Sequence, residues 1–193
     1  MPSIHNYEFA KFNEDYYNNY VINEQFNRTN YSEFIKSICA LTNVKSYLEL
    51  GISLGYCFHN ISKIVDKAVG VDIADNRYFK SGEFYQMKTD EFFQKNSDKF
   101  DLIFIDANHD FEYVKKDFEN SLKILNPSGI IILDDTNPVY EYLTCSTKCG
   151  DAYKIVDYIR LNHSDLDIVT LPILCKGMSI VNRNTVNRFI SNK

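Results

Sequence analysis

At 193 residues, with 45% hydrophobic and 24% charged side chains, the chain is long enough for one domain with a substantial core. Its formal net charge of −5 speaks against a general nucleic-acid or anionic-membrane binder, and no apolar run approaches the ~20 residues needed to span a bilayer. The amino terminus lacks the basic and apolar regions of a signal peptide, and the five scattered cysteines read as reduced thiols, so a cytoplasmic protein is expected.

In chain order, Phe9, Phe12, Tyr16 and Tyr20 recur at helical spacing, predicting an amphipathic helix. A polar loop over residues 23–30 and a second helix over 31–41, with Phe34, Ile38 and Leu41 facing inward, follow. Residues 1–44 thus read as a helical extension that covers the sheet, forms a lid, or packs on another subunit. Exposed aromatic residues on the first helix would suit a homodimer. From residue 45 to 193 the chain reads as one α/β unit. Strands are expected at 46–50, 68–71 and 84–87, with a helix through about residue 65 between the first two and a short helix carrying Phe92 and Phe93 after the third.

The most strongly patterned stretch is 100–135. Leu102 to Ile105 form an apolar run without alternation, as in a strand covered on both faces. Phe111, Val114, Phe118, Leu122 and Leu125 then mark one helix face, with Asp110 as the expected cap. A turn at 126–129 leads into a second buried strand, Ile130 to Leu133. A right-handed crossover makes the two strands parallel, so Asp106 and the pair Asp134–Asp135 emerge at the same carboxyl edge, where open α/β sheets bind ligands. A long loop over 136–150, a helix over 151–162 and two closing strands at 166–171 and 178–181 complete the pattern. The link between those strands is too short for a helical crossover, so an antiparallel hairpin is expected.

Gly51 and Gly55 follow the first strand and open a helix, where glycine permits a tight turn and close approach to an anionic or polar ligand, though packing alone can place glycine there. Asp72 ends the second strand about 20 residues on, where an acid can accept hydrogen bonds from ribose hydroxyls or simply cap a turn. Asp90, after the third strand, could accept from an adenine amino group or cap the next helix. The turn lacks the third glycine of G-x-G-x-x-G, with Ser53 at its middle position, and the closing hairpin differs from an all-parallel dinucleotide sheet. The balance favours S-adenosylmethionine over a nicotinamide dinucleotide.

Glu49-Leu-Gly-Ile-Ser-Leu-Gly-Tyr56, Val71-Asp72, Asp106 and Leu133-Asp134-Asp135 together resemble class I S-adenosylmethionine-dependent methyltransferases. More narrowly they resemble the metal-dependent branch of catechol, caffeoyl-CoA and antibiotic-sugar O-methyltransferases. The resemblance spans roughly residues 31–183. It implies a Rossmann-like doubly wound sheet, mostly parallel with an antiparallel final strand, in the order 3-2-1-4-5-7-6. By it, Glu49, Gly51 and the Tyr56–Cys57 backbone would hold the methionine part of the cofactor, and Gly55 and Asp106 would also line the cofactor site. Asp72 would hold the ribose and Asp90 the adenine side. The resemblance also makes Asp106, Asp134 and Asp135 ligands of one Mg²⁺ (or Mn²⁺), Asp135 standing where some relatives have Asn. Three carboxylates in one cleft repel unless a cation or proton intervenes, and an all-oxygen set suits such hard cations. His109, three residues after Asp106, falls where relatives place a lysine or histidine general base, and an imidazole titrates in the useful range.

The sequence thus points to an O-methyltransferase acting on a small-molecule or sugar hydroxyl, with no nucleic-acid or membrane partner. The Asp106-Ala-Asn-His109 turn lacks the prolines typical of nucleobase amino-methylating enzymes. Competing readings are a non-catalytic adenosyl-ligand-binding or assembly module on the same fold, and a nicotinamide oxidoreductase.

Overall fold

The computed structural model describes residues 24–78, 80–173 and 176–184. The helix expected from Phe9 to Tyr20 lies outside them. Helix α1 (Glu24–Thr42) is followed by β1 (Ser46–Leu50), α2 (Tyr56–Ser62), β2 (Lys67–Asp72) and β3 (Glu83–Gln86). Then come α3 (Thr89–Lys95), β4 (Phe100–Ile105), α4 (Phe111–Ile124) and β5 (Leu125–Asp134). A 3-10 turn (Glu141–Thr144), α5 (Lys154–Asn162), β6 (Leu166–Leu171) and β7 (Met178–Arg183) complete the order. The segment expected as a loop over 23–30 is helical from Glu24 onward, so α1 is one long helix. The stretch contains no glycine or proline to stop a helix, so polarity alone does not break it.

The seven strands form one sheet in the order β3-β2-β1-β4-β5-β7-β6. The first five are parallel, and β7 runs antiparallel to both β5 and β6. Alternating side chains divide the core. Leu102 and Phe104 of β4 join Tyr47, Phe58, Ile61, Ile35 and Ile132 beneath α1 and α2. Ile103 and Ile105 join Leu48, Leu50, Val114, Phe118, Ile155 and Ile159 beneath α3, α4 and α5. Helices on both faces explain why β4 and β5 read as unbroken apolar runs. The parallel register, with Leu50 opposite both Val71 and Ile105 and Ile105 opposite Leu133, brings the residues that follow β1, β2, β4 and β5 to one edge. Among the described residues, no helix is long and apolar enough to cross a membrane.

Helix starts show how local rules are carried out from a distance. Asp110 does sit at the N-cap of α4, but its side chain makes no cap bond. The Phe111 N–H instead donates to Asp151 Oδ1 at 2.6 Å, which ties the α4 entrance to the chain ahead of α5. Asp90 is likewise not the cap of α3; that position belongs to Lys88.

Candidate active site

The turn after β1 is built by backbone geometry. Gly51 has φ +82°, and a Cβ there would lie 2.1 Å from the Asp106 carbonyl oxygen and 2.5 Å from the Ala107 Cα. Only glycine lets the β1 and β4 exits touch in this way. Asp72 braces the same turn: its Oδ2 accepts from the Ser53 N–H at 2.9 Å and its Oδ1 from the Ala74 N–H at 3.0 Å. Gly51, Asp72, Asp90, Asn108, Tyr113 and Asp117 face a cleft of about 340 Å³. Gly55, with φ +79°, lies at the entrance to α2.

Beside the turn, Glu49 is 2% exposed, and the Tyr47 hydroxyl donates to its Oε2 at 2.5 Å. Burial pushes the Glu49 carboxyl up to about 8, with the charges of Asp106 and Asp72 acting in the same direction and the Tyr47 and Cys57 contacts opposing. The Cys57 thiol lies 3.9 Å from the Tyr47 hydroxyl, and burial raises it well above the usual thiol range. Tyr56 opens α2 and meets Tyr78 edge to face, with ring centroids 5.5 Å apart.

At the far end of the cleft, Asp90 is paired with Lys116 at 2.5 Å. Asp117, which sequence reasoning missed, is only 3% exposed. Burial raises its carboxyl to about 6 against the pull of a hydrogen bond with Thr89, and the charge of Asp90 adds to the rise. Its signal was available: a carboxylate at 117 falls within the apolar stripe Val114–Phe118.

The exits of β4 and β5 carry the second half of the site. One ligand atom from each of Asp106, His109 and Asp135 converges with the others, all within 4.8 Å of one another. His109 Nε2 lies 3.2 Å from Asp135 Oδ2 and 3.7 Å from Asp106 Oδ1, and its Nδ1 donates to the Lys148 carbonyl. The contact with Asp106 raises the imidazole to about 9 over the opposition of burial, and Asp135 contributes to the rise. Asp106 is itself held above the usual carboxylate range by burial, and Asp135 adds to this while His109 opposes it. Asp135 is 1% exposed, takes the left-handed conformation with φ +59°, and neither of its oxygens finds a well-formed hydrogen bond. Lys176 Nζ stands 3.4 Å from its Oδ1. Asp134 is 5% exposed with an unpartnered Oδ1, and burial, then the charges of Asp106 and Asp135, raise it well above normal. In the converging triad His109 stands where the sequence reading had Asp134.

The buried carboxylate oxygens that lack hydrogen bonds and the convergence of two acids with an imidazole fit a divalent cation. The cleft and this cluster adjoin, since Gly51 packs against the backbone of Asp106 and Ala107.

Residues 48–136, just under half of the chain, match a family model described as a methyltransferase domain. No protein among the curated sequences matches. Among solved structures, the chain is similar to an O-methyltransferase from Bacillus cereus in complex with S-adenosylhomocysteine (SAH), with TM-score 0.64 and 16% identity over 80% of this chain and 81% of that one. It is also similar to the O-methyltransferase TomG of Streptomyces achromogenes, involved in tomaymycin synthesis and bound to S-adenosylmethionine, with TM-score 0.62 and 14% identity over 79% of each chain. The plantazolicin methyltransferase BpumL, with a desmethyl-plantazolicin analogue and SAH, gives TM-score 0.60 and 18% identity over 90% of each. The chain thus shares the fold of these methyltransferases, and residues 48–136 carry the similarity to a methyltransferase domain.

Proposed function

We propose that the protein is an S-adenosylmethionine-dependent O-methyltransferase acting on a hydroxyl of a small molecule or sugar, assisted by Mg²⁺ or Mn²⁺. The observation that carries this reading is the adjacency of two halves: a cleft with the Gly51 turn and Asp72 on one side, and the Asp106–His109–Asp135 cluster beside it. The solved neighbours hold S-adenosylmethionine or its demethylated product, which is the ligand this cleft would take. Asp72 would accept from the ribose, Asp90 and Asp117 would face the adenine, and Glu49 with the backbone at Gly51, Gly55, Tyr56 and Cys57 would hold the methionine end. Asp106 borders both halves.

S-adenosylmethionine held in the cleft would supply the methyl group, which would pass from its sulfonium to the acceptor oxygen with SAH as the leaving group. His109 would receive the acceptor proton at Nε2, its ring fixed through Nδ1 on the Lys148 carbonyl. A divalent cation held by Asp106 and Asp135, with Asp134 close by, would offset the carboxylate charge, polarise the acceptor hydroxyl and release His109 to its neutral form. The loop over 136–150 borders the acceptor side through Lys148 and Gly150 against His109, the free thiols Cys39, Cys57, Cys145 and Cys149 suit a cytoplasmic setting, and a homodimer is part of the same reading.

The test is calorimetry with SAH. The protein should bind it, Asp72→Ala should weaken binding at least tenfold, and a nicotinamide dinucleotide should not compete. Undiminished affinity in Asp72→Ala removes the cofactor assignment. Binding with no methyl transfer to any hydroxylated acceptor, with or without Mg²⁺, would leave a non-catalytic adenosyl-binding module.

A further inference from the structure

Lys176 belongs to the turn between β6 and β7, far from the acidic edge in sequence. The β5–β7 pairing returns it there. Asp134 lies opposite Met178, and the pairing continues past the strand ends: the Thr136 N–H donates to the Gly177 carbonyl at 3.3 Å and the Asn137 N–H to the Lys176 carbonyl at 2.7 Å. Gly177 makes this approach possible. Its φ is +79°, and a Cβ there would lie 2.3 Å from the Asn137 Cβ. The Lys176 side chain, 25% exposed, then places its ammonium 3.4 Å from Oδ1 of the buried Asp135. Its charge is also felt at Asp106 and Asp134, drawing both carboxyls down against their burial.

We propose that Lys176 is the resident cation of the acceptor edge, competing with a divalent ion for Asp135 and so setting how tightly that ion is held. The inference rests on the reading of Asp106, His109 and Asp135 as a cation site. Asp135 is approached by His109 on one oxygen and by Lys176 on the other, so an ion held by Asp106 and Asp135 would meet an ammonium at close range. Like charges at such separations repel strongly in a partly buried site. A lysine stem is long and flexible enough to swing to solvent when an ion enters, and its compact charge reoccupies the carboxylate when the ion leaves. The edge is therefore never left with three carboxylates and no cation of its own.

The test is Mn²⁺ titration of the SAH-bound protein, followed by the electron paramagnetic resonance of free Mn²⁺, for wild type, Lys176→Met, Lys176→Arg and Lys99→Met. Lys99 precedes β4 at the opposite edge of the sheet and controls for net charge. Lys176→Met should bind Mn²⁺ at least tenfold more tightly than wild type, while Lys176→Arg and Lys99→Met stay within about threefold of it. Unchanged or weaker affinity in Lys176→Met, equal tightening in Lys99→Met or Lys176→Arg, or no Mn²⁺ binding by any form overturns the proposal. If wild type fails to bind SAH, the cofactor reading falls, and the same titration without SAH still decides the role of Lys176.

Discussion

Asp117 offers a sharp quantitative test because the structure gives both its cost and its location. The carboxyl is buried in α4, and its folded-state pKa of about 6 stands above the ordinary 3.8. A raised acid pKa means that the folded protein holds the proton more tightly than the unfolded chain. Stability contributed by the protonated form is therefore lost as pH rises from 3.8 through 6. The full difference, a little over two pKa units, amounts to about 3 kcal/mol, of which roughly 1.4 kcal/mol falls between pH 5 and pH 7.5. Asp117→Asn keeps the shape and an acceptor for Thr89 but cannot ionise. The stability of the Asp117→Asn variant relative to wild type, measured by urea unfolding, should thus rise by about 1.4 kcal/mol between those two pH values. A difference that stays flat with pH, or a wild type that gains on the variant as pH rises, refutes the assignment. The same substitution should weaken SAH binding several-fold, since a charge that costs stability at the rim of the cleft is retained where it serves a ligand.

Three further perturbations separate the parts of the site. Gly51→Ala forces a side chain into the left-handed region, about 1–2 kcal/mol by itself, and drives its Cβ into the Asp106 carbonyl; urea unfolding should show a loss of at least about 3 kcal/mol, and calorimetry should show loss of SAH binding. Tyr47→Phe removes the donor that holds the Glu49 carboxylate; the Glu49 pKa, already about 8, should rise further, so the pH above which SAH binds at full strength moves upward, and an unmoved pH profile would refute the role. At Asp135, both Asn and Ala remove the charge, but Asn tolerates φ +59° and Ala does not; thermal unfolding should place the Asn variant above the Ala variant by about 1 kcal/mol.

The fold, and the turn and carboxylate that line its cleft, were legible because short-range rules decide them. Apolar runs such as Leu102–Ile105 and Ile131–Leu133 must be covered on both faces, and two such runs joined by an amphipathic helix have one favoured handedness. Gly51 and Asp72 follow from where strand ends must lie. What local rules misjudged were element edges. Polar residues ahead of Tyr31 concealed seven residues of α1, and β5 begins pairing at Leu125, directly after α4, through the irregularity between Phe100 and Leu102 on its partner. Asp90 illustrates a different limit: a carboxylate after β3 is visible in sequence, but its capture by Lys116 from α4 depends on how two helices pack.

The acceptor half was read as three aspartates and a histidine, with their counter-charge missing, and the reason is topological. A parallel sheet gathers the residues that follow its strands, so the eye collects Asp106 and Asp134–Asp135 and passes over everything that precedes a strand. An antiparallel strand reverses that rule: next to β5, the residues before β7 are the ones that reach the carboxyl edge. Once Met178 is set opposite Asp134, counting back along β7 and forward along β5 puts Gly177 and Lys176 beside residues 135–137. The hairpin was itself foreseen from its short link, so the lysine could have been found by carrying the register two residues past the strand ends. Its presence alters the electrostatics of the whole edge: a cluster of buried acids already faces an ammonium beside the His109 imidazole, and the affinity of the site for a divalent ion would become a competition in which Lys176 takes part.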